Sequence, residues 1–416
     1  MTDSDPARPA PTPEAPGEGA PLTVAGRLSG YLRGGGIITP LLTALIAFFF
    51  GGLVIAFTGS SPFATYKAIF EGSGLNWLFP WISSEDRTLA ALNLQQTLIL
   101  TTPLILTGMA VAYAFRAGLF NIGGQGQYWM GLYLGVIIGS SLEGLPGFLH
   151  IVLALVLGTL AGALWGGLAG WLKARTGANE VISTIMLNYV ALWIGVWAFG
   201  LGGPLHSDDP ANSSIPISDS THSDARLPVF WGDPELQGLH VGLFIALAVL
   251  IVFWVLLNRS VAGYEARAVG FNPDAAEYGG IHAGRTYVKV MLWCGGFAGL
   301  AGAIDVLGWQ FAVATNDLQN ASVVGAGFVG IAVALLGRNT ASGVFFSALL
   351  FGALLNGTSV RNLDPSVFPP ELATNLTLMI MGLIVLLVSA PVIVTTLYRL
   401  RPKRTRPDEE PAQVEA

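Results

Sequence analysis

The sequence predicts an all-α integral membrane protein of about ten transmembrane helices, some short or broken, with one short helix held outside the bilayer. Three observations predict it. Hydrophobic residues make up 52% of the 416 and charged residues only 11%, with a mean hydropathy of +0.61, more apolar surface than a soluble core of this length needs. Fifty-three glycines suit helices packed closely through small residues in lipid. The basic residues fall on alternate loops between apolar runs, which is how orientation is written into a membrane sequence.

Residues 1–34 read as a disordered cytoplasmic tail, because Pro, Ala, Gly and Glu dominate as far as Ala20 and cannot supply a core. No basic region leads directly into an apolar one there, so the tail does not read as a signal peptide. A membrane domain follows over residues 35–398. Its first apolar run, Ile37–Phe57, is long enough to cross a bilayer. Leu89–Phe115 is the second, uncharged throughout, with Pro103 as an expected kink. Tyr128–Leu142 is shorter and extensible through the glycines before it. Leu149–Leu172 carries Gly158, Gly162, Gly166 and Gly170, which share one helix face. Val181–Leu201, Val241–Asn258 and Tyr287–Val306 come next. Val323–Leu336 and Ser342–Leu355 are short enough to be re-entrant, and Leu372–Leu397 ends the set, before a C-terminal tail at 399–416.

With ten spans and the N-terminus inside, the inner segments hold most of the basic residues, Arg27 and Arg33 at the start and Arg399 to Arg406 at the end among them. The outer segments hold only Lys67, Arg87, Arg226 and Arg361. Adding or removing one span destroys the asymmetry. The acidic loop 202–239 then lies outside and the loop 259–285 inside. Cys294 sits alone in an apolar run and reads as a buried, inert thiol.

Two polar stretches stand out. In Gly263–Ile281, Asn272 suits an N-cap, Pro273 the first helical position and Asp274 the positive end of the dipole. Ala275 and Ala276 continue a helix of about two turns, and Gly279-Gly280 can end it. The stretch is either an ordinary capped loop or a docking element. In the second stretch, Phe115–Gln127, glycines interrupt helix while Asn121, Gln125 and Gln127 offer amides. Irregular backbone at membrane depth is tolerated where it faces protein or a water-filled cavity, so this is either a plain turn or part of a solute path. Further on, Asn179 caps a run in which Asn188 is either an interhelical hydrogen-bond partner or a pathway residue.

These stretches resemble the permeases of ATP-binding-cassette (ABC) importers, in the superfamily that handles branched-chain amino acids, sugars and nucleosides, and most of all its nucleoside and simple-sugar branch. The likeness is carried by Arg267, Ala268, Val269, Gly270, Asn272, Pro273, Ala275, Ala276, Gly280 and Ile281, by GLFNIGGQGQ from Gly118, by NEVISTIMLNY from Asn179, and by GAGFVGIAVALLGR from Gly325. Departures are small: Ser183 stands where Thr is frequent and Gly124 where Ala is. The resemblance implies a cytoplasmic coupling helix that docks on a separate ATPase subunit, using Glu265, Arg267, Gly270, Asn272, Pro273, Asp274, Ala275, Ala276, Gly279 and Ile281. It implies a solute path drawing on Phe120, Asn121, Gln125, Gln127, Asn188 and Tyr189. It also implies a second permease chain, identical or homologous, an extracytoplasmic substrate-binding protein, and a bacterial plasma membrane.

The expected cargo is a nucleoside or simple sugar, moved by alternating access. No Gly-Lys-Ser/Thr triplet occurs, so ATP and magnesium are expected on the partner ATPase rather than on this chain. The five histidines show no metal spacing, no nucleophile motif is present, and neither an enzyme nor a nucleic-acid binder is expected. The alternative is a self-sufficient secondary transporter or channel for a small neutral solute. Asp305 is the one carboxylate near the membrane interior that could serve it.

Overall fold

Small residues decide how this chain packs. The computed structural model describes residues 38–389 except 81–82, 143, 234–237, 360 and 364. The tails at 1–34 and 399–416, with Arg27, Arg33 and the basic C-terminal cluster, lie outside the described residues, as does the expected last span beyond Ser389. In chain order the helices are α1 (Ile38–Phe57), α2 (Pro62–Gly72), α3 (Ser84–Arg116), α4 (Gly124–Ser141), α5 (Gly147–Thr176) and α6 (Glu180–Phe199). A two-stranded antiparallel ribbon, β1 (Val229–Trp231) and β2 (Leu239–His240), precedes α7 (Gly242–Arg259). Then come α8 (Val261–Phe271), α9 (Pro273–Tyr278), α10 (Ala283–Asp305), α11 (Thr315–Val324), α12 (Ala326–Leu336), α13 (Ala341–Gly357) and α14 (Pro370–Ser389).

Among the described residues, seven helical segments are long and apolar enough to cross a membrane, one of them spanning α11 and α12 together. α10 is the axis, packed on α3, α4 and α5. Gly158, Gly162, Gly166 and Gly170 of α5 turn toward it. A Cβ on Gly162 would stand 2.4 Å from the Gly295 carbonyl oxygen, and one on Gly166 would stand 2.5 Å from that of Met291. α4 joins the same seam, where a Cβ at Gly131 would come within 2.0 Å of the Gly299 oxygen and one on Gly158 would stand 2.9 Å from the Gly131 oxygen. In lipid no hydrophobic force joins helix to helix, so this backbone-to-backbone closeness supplies the dispersion contacts instead. Cys294 of α10 lies fully buried, a free thiol.

The long helices run between two ends of the bundle. At one end, the 202–241 segment folds back over the helix termini: the Thr221 N–H donates to the Phe311 carbonyl (2.7 Å), His222 to Gly139 (2.8 Å) and Leu227 to Leu307 (2.8 Å). At the opposite end lie Arg116, Lys173, Arg175, Arg259, Arg267, Arg285, Lys289 and Arg338, so the charge asymmetry of the sequence is also a spatial one.

Two expectations change in detail. The chain from Val261 to Phe271 is helix rather than loop, because Gly263, Ala266 and Val269 recur every three residues and face inward, while the Ser260 hydroxyl caps the Gly263 N–H at 3.0 Å. The run Val323–Leu336 is broken at Gly325, where α11 stops and α12 starts. Pro103, the expected kink position, lies inside α3, which is helical on both sides of it, and the Thr107 hydroxyl donates to the Pro103 carbonyl at 2.9 Å.

Candidate coupling and gating site

At the basic end, α8 and α9 form a bent pair with Asn272 at the corner. Asn272 closes α8 and opens α9, its Oδ1 accepting from the Ala275 N–H at 3.0 Å. Such a cap is worth about 1 kcal/mol. Pro273 occupies the first helical position and Asp274 the first turn, and Gly279 ends the helix after six residues. The Ile281 N–H then reaches back to the Ala276 carbonyl at 2.9 Å. Ala276 is buried with Val269 and Ala283, so it is the root of the element, whereas Ala275 and Asp274 face outward.

Glu265 and Arg267 fix this pair to the bundle. The Glu265 carboxylate meets the Lys289 ammonium of α10 at 3.1 Å, and Arg267 donates from Nη1 to the Leu257 carbonyl at the end of α7. Half-exposed, the ion pair is worth about 0–1 kcal/mol and serves as a guide more than an anchor. Two side chains that the sequence reading passed over are the most prominent here: Phe271 is 90% exposed and Tyr278 95%. Phe271 lines a groove of about 380 Å³ with Val261, Tyr264, Ala268 and Ala275. Two aromatic rings standing in solvent inside a polar stretch are the signal that could have found them.

Gly270 sets how closely the element approaches the bundle. A Cβ there would stand 2.5 Å from the Arg116 carbonyl oxygen and 2.9 Å from the Gly118 nitrogen. Gly118, at φ +70°, answers with its own backbone, 3.2 Å from the Gly270 Cα to where its Cβ would be. The two glycines let α8 rest directly on the non-helical segment 117–123, with no side chain between.

That segment carries the second group of predicted residues. Asn121 and Gln127 exchange a pair of amide hydrogen bonds, 3.0 and 3.1 Å, and Asn121 Oδ1 also accepts from the Gly123 N–H at 3.0 Å. Asn188 of α6 accepts from the Gly126 N–H at 2.7 Å and donates to the Ile122 carbonyl at 2.9 Å. Gln125 accepts from the Gly327 N–H at 2.8 Å, capping the start of α12. All four amides are buried. Phe120 and Tyr189 differ: both are exposed, Phe120 edge-on against Phe115 and Tyr189 on the outward face of α6. Lys173 and Glu180, 2.7 Å apart, tie the end of α5 to the start of α6 beside them.

At the far end, Asp305 closes α10 just before a π-turn at Val306–Gln310. It is buried, and the Tyr128 hydroxyl donates to its Oδ2 at 2.6 Å. Gln310 in turn donates to the Tyr128 oxygen at 3.4 Å. The sequence marked Asp305 but not its partner, which stands 177 residues earlier.

Residues 93–389 match the model of the branched-chain amino acid transport system / permease component family. A guanosine ABC transporter permease of Bacillus subtilis is 35% identical over 322 residues, covering 77% of this chain and 85% of its own length. A nucleoside ABC transporter permease of Lactococcus lactis is 31% identical over 338 residues, 81% of this chain and 87% of its own. A glucose ABC transporter permease of Haloferax volcanii is 30% identical over 328 residues, 77% of this chain and 80% of its own. No solved structure matches the chain.

Proposed function

The chain belongs to the family of branched-chain amino acid transport system permease components, and from that premise we propose that it moves a nucleoside or simple sugar through the membrane as one subunit of an ATP-driven importer. It is a multi-pass membrane protein and a transport subunit of the ABC type. The nucleoside reading rests on two of the three relatives above; the sugar reading rests on the third.

The mechanism follows from the glycine contact between α8 and segment 117–123. A partner ATPase, holding ATP and magnesium, seats the Phe271 and Tyr278 rings and the α9 turn between them. When its dimer closes it pushes α9, and α8 passes the displacement to the segment at Gly270–Gly118. Because Asn121 is bound to Gln127, and Asn188 to Gly126 and Ile122, α4 and α6 must follow together. Gln125 carries the same movement to α12. Packed elements of this kind shift between discrete arrangements rather than bending continuously, which is what alternating access requires. On this reading the four amides brace the moving parts, while Phe120 and Tyr189 face the solute path.

Ten spans are reached when α4, α13 and α14 are added to the seven long segments. An even count keeps both termini on the side of Arg116, Arg259 and Arg267, the cytoplasm by the positive-inside rule, and leaves the 202–241 cap outside for a substrate-binding protein. A second permease chain completes the path. The test is co-purification of tagged chain with its cognate ATPase. Wild type should retain the ATPase, and Ala275→Glu, at an exposed position, should lose it while keeping its melting temperature. Retention by the charged variant, or uptake by the chain alone in liposomes, overturns the reading.

A further inference from the structure

The membrane-facing surfaces of the long helices are not alike. α5 presents aliphatic residues along its length, Val156, Leu160 and Leu164 among them, with Trp171 near its end. That is what hydrocarbon prefers, with the indole kept for the interfacial zone. α6 presents something else. Tyr189, Trp193 and Trp197 recur every four residues on one face, 56%, 61% and 68% exposed, and with Val190 and Ile194 they outline an open groove of about 460 Å³.

Depth excludes the simplest account, an interfacial aromatic belt. Tyr189 is nine residues into α6, about 14 Å along a helix about 30 Å long. Only Trp197 stands near an end. A phenol hydroxyl half-way through the bilayer and turned to hydrocarbon would go unpaired at a cost of about 2 kcal/mol or more. Trp193 carries an indole N–H about one turn further on and meets the same objection. Behind Tyr189, on the buried side of the same turn, Asn188 holds Gly126 and Ile122, so the face is attached to the moving parts of the coupling site.

We propose that this face of α6 is one wall of the solute path and that the flat ring of a nucleobase stacks on Tyr189 and Trp193 as it passes, the opposing wall coming from the second permease chain. The proposal rests on the importer reading above. The face is open and built from one helix alone, so a solute site there is incomplete without a second wall. Stacking suits a path because every base offers a π-face to an aromatic side chain and none is gripped by a fixed hydrogen-bond pattern.

The test uses the whole transporter, this chain with its ATPase, second permease and binding protein, in proteoliposomes supplied with ATP and labelled guanosine. Tyr189→Leu and Trp193→Leu keep the face apolar and remove the rings. Each should lower guanosine uptake roughly 5- to 150-fold, the range that loss of one base–aromatic stack corresponds to. Subunit retention should not change. Tyr189→Phe and Trp193→Phe should restore uptake, and Trp171→Leu on α5 should transport as wild type does. If both leucine variants transport normally, the face meets lipid and the proposal is wrong. If they instead shed the second permease chain, the face is a subunit contact, and the proposal is equally wrong. Should wild type itself take up no guanosine with ATP present, it is the nucleoside reading that fails, and this inference with it.

Discussion

Gly270→Ala is the substitution that separates coupling from docking. Gly270 lies on the inner side of α8, away from the exposed Phe271 and Tyr278 rings, so the ATPase-facing surface stays intact. The new methyl would stand 2.5 Å from the Arg116 carbonyl oxygen and 2.9 Å from both the Ala117 carbonyl carbon and the Gly118 nitrogen. All three are backbone atoms and none can rotate away, so α8 must back off by about 1 Å to reach ordinary van der Waals separation. Overpacking of this kind costs about 1–3 kcal/mol. If that energy is charged to the conformation in which α8 presses on segment 117–123, the coupling constant falls by about 5- to 150-fold. The assay is ATP-dependent uptake and ATP hydrolysis measured in the same proteoliposomes. ATPase should remain bound and active while uptake per ATP falls at least five-fold. Gly284→Ala at the start of α10, where the nearest atom to the new Cβ is 3.6 Å away, is the matched control and should stay near wild type. Normal uptake by Gly270→Ala would refute the idea that the push travels through this contact.

Three further outcomes follow from the same geometry. Asn188→Leu orphans the buried Gly126 N–H and the part-buried Ile122 carbonyl, so thermal unfolding in detergent should show a loss of about 1–3 kcal/mol for the buried group and less for the other. The double variant Phe271→Ala/Tyr278→Ala should abolish ATPase co-purification yet leave the melting temperature within error, since both rings stand in solvent. Burial depresses the His240 imidazole from 6.5 to about 4. The unfolded chain therefore binds more protons between those values, so this stability is complete above pH 6.5 and is lost as pH falls toward 4. The whole effect is at most about 3 kcal/mol. His240→Gln should flatten that part of a pH-melting curve; an unchanged slope would place the sensitivity elsewhere.

Much of this was legible in the sequence where chemistry is local. The Asn272-Pro273-Asp274 cap, the glycine face of α5 and the segregation of basic residues each depend on neighbours within a turn or a loop, and each appears as read. What could not be read is pairing over distance. Gly118 and Gly270 are 152 residues apart, and nothing about either says that the other is its reason. The same holds for Tyr128 and Asp305, and for Gln125 and Gly327. α8 is masked in the sequence because Gly263, Gly270 and two charges, Glu265 and Arg267, dilute its apolar period, although its buried positions repeat every three residues.

The amides teach the sharper lesson. A cluster of Asn and Gln in an apolar chain invites a solute path, since polar groups in a membrane are costly and tend to be retained for function. Here the Asn121, Gln127 and Asn188 side chains have both ends engaged within the chain, and Gln125 has its oxygen engaged. A group whose donors and acceptors are already satisfied gains little from a passing solute, and would have to break a buried bond to greet it. What such groups do well is fix the geometry of backbone that has left the helix, where each unmatched N–H or carbonyl would otherwise be paid for in full. A solute in transit needs the opposite: surfaces that are exposed, chemically tolerant and not yet committed. On this chain that description fits Tyr189 and Trp193 better than it fits the amides behind them, and it separates the wall of the path from the frame that moves it.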